Sequence, residues 1–352
     1  MSYLLRLQQH LKHPERLPAA QGWIALEAGD APAILAFDEA LGASILKSRT
    51  MAPLDMLAFA SRMLGIDPQS LPNLAFLFEQ SRIFQSGPAH LEARTAFAAR
   101  YREIEQGLSL WLPHYCRELI AGQRAAGPLE ARSLAEAFVI GTMTRMIAHD
   151  LRVDPASVPI IVETFFTLRP TQPRLRALDA QVGTLMTWVS NHLQRLGRPA
   201  MEAAMLVTLQ VIGREPLEAS LVHGLLGGAD RASVPEARAL FADAAAVNMI
   251  GRYATADTQL GALHLREGQM VYVSPHLMHW YMQQAGDTPT QNAYAFGKGA
   301  HTCLGQMLSV RLASAFFEEL ARSDFHAPAG EPLSLRSDLI LKTLTTAPSL
   351  HP

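Results

Sequence analysis

Phe296-Gly297-Lys298-Gly299-Ala300-His301-Thr302-Cys303-Leu304-Gly305 sets one cysteine in a glycine-rich loop directly ahead of an apolar helical run, residues 307–320. The fixed positions read F-x-x-G-x-x-x-C-x-G. With 14 Phe, 23 Gly and 2 Cys among 352 residues, the pattern arises by chance in roughly 3 of 10,000 such chains. Cys303 stands just before a helix N-terminus, where unpaired N–H groups and the dipole favour negative charge on sulfur. Gly299 and Gly305 remove side chains, so backbone N–H groups can approach that sulfur. The plain alternative is a core cysteine at a loop–helix junction; the whole pattern weighs against it.

The rest of the chain bounds the answer. Hydrophobic residues make up 49%, enough for a large core. A net charge of −2 gives no nucleic-acid footprint. Two cysteines, Cys116 and Cys303, do not make a disulfide framework, and Cys116 falls in an apolar helical stretch where it is expected to pack. The first 20 residues hold no apolar core of a signal peptide, and no run is long enough to span a bilayer. The expectation is therefore a cytoplasmic protein without a membrane anchor. Helical periodicity predicts helices over 91–121, 133–149, 176–196, 202–226 and 306–322, and strands over 251–255, 269–273 and 339–345. The class is mainly α with a small, late β component.

The ligand loop resembles the haem-ligand loop of cytochromes P450, of the soluble bacterial type. The resemblance spans nearly the whole chain, weakly outside the loop. It implies the P450 fold as a single haem domain over 1–352, with haem b (iron protoporphyrin IX) as cofactor and Cys303 as the iron ligand. Phe296 would pack beside the ligand, and Gly299 and Gly305 would shape the loop. Gly87-Pro88-Ala89-His90-Leu91-Glu92-Ala93-Arg94 resembles the family's H-x-x-x-R helix start. His90 and Arg94 share a helix face, and in the family they meet a haem propionate. Taken alone, such a pair is an ordinary solvated face. Gly251-Arg252-Tyr253-Ala254-Thr255-Ala256-Asp257 looks like the family's R-x-A-x-x-D strand. Arg252 would be a second propionate partner and His301 a third.

Two departures stand out. Where the family carries Glu-x-x-Arg, this chain has Ala239 and Ala242; Glu236 and Arg238 are near but wrongly spaced. The meander before the ligand loop is short, and no Arg lies between Arg266 and Phe296. Both halves of one buried ion-pair system are missing together, which strands no charge. In the long distal helix, Ile212-Gly213-Arg214-Glu215-Pro216 matches the family's acid with Glu215 but puts Pro216 where a threonine helps deliver protons. Pro216 would kink that helix, or break it into two. Ser220 offers a hydroxyl one turn later, at another position. Arg214 could bind a substrate carboxylate if it faces the haem, and Glu215 could act as general acid–base.

The resemblance implies a haem-thiolate monooxygenase acting on a small organic substrate in specialised metabolism, served by a ferredoxin-type redox partner. Pro216 motivates an alternative without redox partner: peroxide-driven oxidation, rearrangement or dehydration. The lost Glu-x-x-Arg motivates a third, a non-catalytic recruitment module. Pocket residues are expected around 67–86 and 160–171, with Phe76, Phe78, Phe84, Phe165 and Phe166 as apolar lining or plain core. Lys298 and Arg311 are candidate cations for a partner on the cysteine side.

Overall fold

The computed structural model describes residues 3–18, 21–28, 32–126, 129–166, 171–226, 240–241, 247–286, 294–323, 335–337, 342–344 and 349–350. The helices are α1 (Tyr3–Lys12), α2 (Glu39–Lys47), α3 (Met56–Leu64), α4 (Pro72–Ser81), α5 (Pro88–Gly107), α6 (Leu112–Ala126), α7 (Ala131–Leu151), α8 (Gln172–Arg195), α9 (Met201–Thr208), α10 (Arg214–Leu226), α11 (Pro275–Gln284) and α12 (Gln306–Ala321). The strands are β1 (Trp23–Ala25), β2 (Ile34–Ala36), β3 (Met51–Pro53), β4 (Leu129–Glu130), β5 (Ile250–Ala254), β6 (Thr258–Leu260), β7 (Leu263–Leu265), β8 (Met270–Val273), β9 (Leu335–Ser337), β10 (Lys342–Leu344) and β11 (Ser349–Leu350).

The principal sheet runs β1-β2-β8-β5-β3, with β2 and β8 parallel and its other pairs antiparallel. Alternate residues of its central strands serve two cores. Ile34, Ala36, Val271 and Val273 join Ile45, Leu46, Met278 and Tyr294 on one face. Leu35 and Tyr272 join Leu7, Leu11, Phe37 and Leu277 on the other. A third and larger apolar cluster lies among the helices from α3 to α12. Burial on both faces explains why β2 reads as a short continuous apolar run, which periodicity does not separate from helix or loop. Strands β1 to β3 therefore correct the expectation that strands come only late.

Three helix and strand expectations need amendment. The predicted helix over 91–121 breaks after Gly107, passes through a 3-10 turn (Leu108–Leu110), and restarts at Leu112. Pro113 fits the first turn of α6, where its missing N–H costs nothing, and Gly107 packs against the His149 ring. The helix over 202–226 does not break at Pro216. It contains a π-turn, Leu209–Gly213, between α9 and α10. In a plain α-helix Pro216 would clash with the carbonyl of Ile212; the widened turn that contains Ile212 gives the ring room. Of the expected strand 339–345, the structure shows β10 paired antiparallel to β9; positions 339–341 and 345 lie outside the described residues. Ala239, Ala242, Glu236, Arg238 and positions 287–293 of the short meander also lie outside them.

Two local devices position the later site. Helix α4 has no capping side chain of its own. Asp179 of α8 caps it from outside, accepting from Leu74 N at 2.8 Å and Asn73 Nδ2 at 2.8 Å. The loop before Cys303 docks on α2: Gly299 has φ +77°, and a Cβ there would come 2.5 Å from the Leu46 carbonyl oxygen.

Both devices can be tested by substitution. Asp179→Ala strands a buried N–H and should lower unfolding stability by roughly 2–3 kcal/mol in urea titrations; an unchanged midpoint would remove the trans-cap. Gly299→Ala meets both a left-handed backbone and the Leu46 carbonyl. It should cost about 1–3 kcal/mol and is contradicted by wild-type stability.

Candidate functional site

The cysteine loop is tied to itself at each turn. Gly297 N donates to Tyr294 O (2.9 Å), Thr302 N to Gly299 O (3.2 Å), and Cys303 N to Phe296 O (2.8 Å). Phe296 packs on Phe241, ring centroids 4.9 Å apart. A Cβ on Gly305 would lie 3.7 Å from the Cys303 sulfur, so the glycine keeps that approach open. Cys303 presents exposed surface, yet burial pushes its thiol pKa up, against the opposing pull of the Gly305 N–H and the Arg94 charge. The two observations agree if the sulfur opens onto a recess enclosed by protein. Cys116, in contrast, has no exposed surface, and its pKa is pushed up to about 12 by burial.

His90, Arg94, Arg252 and His301 come from three separate parts of the chain and meet beside this loop. The His90 and His301 rings stand 4.2 Å apart between centroids. His90 Nδ1 bonds to Arg82 O at 2.9 Å, and its Nε2 lies 3.3 Å from Ala300 O. His301 Nε2 lies 3.4 Å from Ser86 Oγ. Its pKa falls to about 4, first through burial and then through the charges of His90, Arg252 and Arg94. Arg252 is carried on β5 on the same sheet face as Ile250 and Ala254, beneath the ligand loop. It is 5% exposed, with pKa lowered to about 10 by burial. One N–H bonds the Gly251 carbonyl, and its Nε has no partner. Arg94 is half-buried; burial lowers its pKa and nearby Cys303 raises it. Among the described residues, no Asp or Glu pairs with Arg94 or Arg252. Buried guanidinium groups without an anion are costly. A cluster of this chemistry can pair with carboxylates, and the cysteine beside it can offer one sulfur ligand. That donor set fits an iron porphyrin carrying two carboxylates.

On the opposite, distal helix the structure redirects the expected residues. Arg214 does not reach toward Cys303. It is buried, with Nε 2.6 Å from Glu218, Nη2 2.9 Å from Glu136, and Nη1 2.7 Å from Ile161 O. This corrects the expectation of a substrate-carboxylate site at Arg214: its donors are already satisfied. The Glu215 carboxylate accepts from Phe166 N at 2.6 Å. Its pKa rises to about 7, chiefly through burial, with the Phe166 N–H and Arg214 pulling the other way and Glu218 adding to the rise. Ser220 donates to the Pro216 carbonyl at 2.8 Å, so its hydroxyl is turned along its own helix.

Sequence reasoning missed several partners. Gln210 accepts from Ile161 N at 3.1 Å. Tyr101 OH donates to Met205 O across α5 and α9 at 3.4 Å, and burial raises its pKa. Neither carries a motif; only the packing reveals them. Phe84, Phe78, Phe165 and Phe166 form one edge-to-face row with successive centroids 5.0, 5.2 and 5.3 Å apart, whereas Phe76 is 51% exposed and outside it. The two candidate cations on the cysteine side are engaged: Lys298 lies over the Tyr294 ring at 4.2 Å, and Arg311 pairs with Glu105 at 2.6 Å. No helix among the described residues is long and apolar enough to cross a membrane.

No protein-family profile matches the chain, and no curated protein matches it. Solved structures do. P450BioI in complex with an acyl carrier protein ligated to hexadec-9Z-enoic acid superposes with TM-score 0.76 at 16% identity, over 97% of this chain and 99% of that one. P450 RauA, complexed with a biosynthetic intermediate of aurachin RE, gives 0.69 at 16% identity over 99% and 97%. A six-coordinated cytochrome P450 from Thermus thermophilus gives 0.69 at 14% identity over 98% and 98%. At such identities the likeness concerns the backbone, and over nearly its whole length this chain has the cytochrome P450 fold.

Proposed function

We propose that the protein is a haem-thiolate oxidoreductase acting on a small, largely apolar organic substrate, one haem domain over the whole chain, with Cys303 as the iron ligand. The observation that carries this reading is the set of two uncompensated guanidinium groups, Arg94 and Arg252, meeting His90 and His301 beside a cysteine sulfur approached by the Gly305 N–H. Arg94, Arg252, His90 and His301 would hold the haem carboxylates, by charge-assisted hydrogen bonds in the case of the arginines. Phe296 and Phe241 would cover the loop and exclude water. A thiolate-ligated haem supplies electron density that favours O–O cleavage. Around it, this chain's residues orient and desolvate: the aromatic row would form part of the substrate wall. A ferredoxin-type partner would supply electrons in the monooxygenase form of this chemistry. Lys298 and Arg311 do not argue for its docking site, because both are already engaged.

A second reading is favoured by the distal helix. Pro216 has no hydroxyl, Ser220 spends its own on a backbone carbonyl, and Glu215 is bonded to a backbone amide. None of these groups is presented for proton transfer at a reacting centre. Chemistry that brings its own protons and oxidation level, such as peroxide-driven oxidation or a rearrangement, makes fewer demands on that side.

The purified protein, given haem, reduced and exposed to carbon monoxide, should show a thiolate-type Soret band that Cys303→Ser abolishes. A band unaffected by that substitution would overturn the assignment. Arg252→Leu removes a buried charged donor and should weaken haem retention by roughly 10- to 100-fold in transfer assays to apomyoglobin; undiminished retention would detach Arg252 from the carboxylates. Turnover with peroxide alone supports the partner-independent reading. Product that forms only with NAD(P)H and redox proteins removes it.

A further inference from the structure

The distal helix touches the segment 161–166 at both ends, through backbone atoms on the segment's side. Gln210 accepts from Ile161 N (3.1 Å), and Arg214 donates to Ile161 O (2.7 Å) with a longer contact to Val162 O (3.4 Å). At the far end Glu215 accepts from Phe166 N (2.6 Å). The middle is held by α8: Gln181 accepts from Val162 N (2.9 Å) and Glu163 N (3.1 Å). Residues 161–166 form no helix or strand, so their amides depend on these side chains. Buried backbone groups must find such partners. The same segment carries Phe165 and Phe166, the end of the aromatic row. That row leads through Phe78 and Phe84 to the turn holding Arg82 and Ser86, which contact His90 and His301.

We infer that Glu215 is a positioning residue: with Gln210 and Arg214 it clasps the backbone of residues 161–166 onto the distal helix and sets the place of the Phe165–Phe166 wall, instead of moving protons at the reacting centre. The inference deepens the haem-thiolate reading and rests on it for the wall's meaning as a substrate surface. The clasp itself is a property of the protein alone. Two of its three members carry no proton-transfer role at this contact. Gln210 can neither donate nor accept a proton in turnover, and Arg214 is fixed between Glu136 and Glu218. Glu215 lies in the same row and performs the same act on the same segment.

The clasp has a definite response to pH. The charged groups around it are Arg214 and Glu218 on the same helix, Glu136 and Arg132 on α7, Glu163 on the segment and Arg174 on α8. In the clasped state the Glu215 pKa is about 7, raised above its ordinary value chiefly by burial. Releasing the segment returns the carboxyl to water and to its ordinary value, so release frees a proton. Opening therefore becomes easier as pH rises from the ordinary carboxylate range toward 7, by up to about tenfold per pH unit within that window. It is hardest in acid, where Glu215 is protonated in both states.

Amide hydrogen exchange of the full chain, read by mass spectrometry on peptides covering 161–166 and corrected for intrinsic rates, tests this. Glu215→Ala should speed exchange there by about three- to tenfold, as expected from one lost hydrogen bond. Glu215→Gln, whose amide oxygen can still accept from Phe166 N–H, should restore protection and abolish the pH slope. Unchanged exchange in Glu215→Ala, or a pH slope retained in Glu215→Gln, overturns the inference. So does exchange in Glu215→Gln as fast as in Glu215→Ala. The same samples with haem give the carbon monoxide spectrum. A missing thiolate band with the exchange pattern intact would sink the haem reading and leave the clasp standing; the reverse would sink the clasp alone.

Discussion

Positive charge without its counterpart is the constraint around which this structure is arranged. Arg94 and Arg252 approach from a helix and a strand far apart in the chain, and no carboxylate among the described residues answers them. Left so, they oppose folding, because a desolvated guanidinium needs an anion. His301 responds by remaining neutral well below its ordinary range. A bound dianion would offset all three costs, and its binding would then be coupled to stability by mass action. A bound cofactor would tie β5, α5 and the cysteine loop together.

The sheet and helices contribute to this arrangement in different ways. The sheet presents Arg252 on the face shared with α2 and Tyr294, and Gly299 lets the cysteine loop lie directly on the Leu46 carbonyl. Helix α5 brings His90 and Arg94 from the other side, with His90 anchored by the Arg82 carbonyl. Apolar packing holds these elements, while the polar contacts choose their register.

The distal side follows another logic. Proline in mid-helix is accommodated by a π-turn, a device frequent at functional sites. That turn spans Gln210, and Arg214 and Glu215 follow it at once. The polar residues that sequence reasoning assigned to chemistry instead satisfy an irregular segment. A stretch without helix or strand, packed against a helix, carries backbone donors and acceptors that something must meet, and these side chains meet them. The distal helix thus holds the backbone of residues 161–166, and with it the end of the aromatic row.

Much of this was legible in the residues. The cysteine loop, the His90–Arg94 spacing and the Arg252 strand declared themselves because backbone approach, helix periodicity and strand alternation impose local patterns. The α7, α8 and α12 helices did so for the same reason. Strands β1 to β3 were not legible, since three residues buried on both faces leave no alternation to detect. The break at Gly107 had a signal in Gly107 and Pro113 that long apolar periodicity masked. Chain-distant contacts left no signal at all: Asp179 on the α4 terminus, Gln210 on Ile161, Glu215 on Phe166. The sequence by itself determined which residue types could ligate iron and bind carboxylates. Tertiary structure alone decided which of the charged residues stay available, because a side chain's partner is set by what packs beside it. Glu136 and Glu218 took up Arg214, the 161–166 segment took up Glu215, and no carboxylate among the described residues took up Arg94 and Arg252.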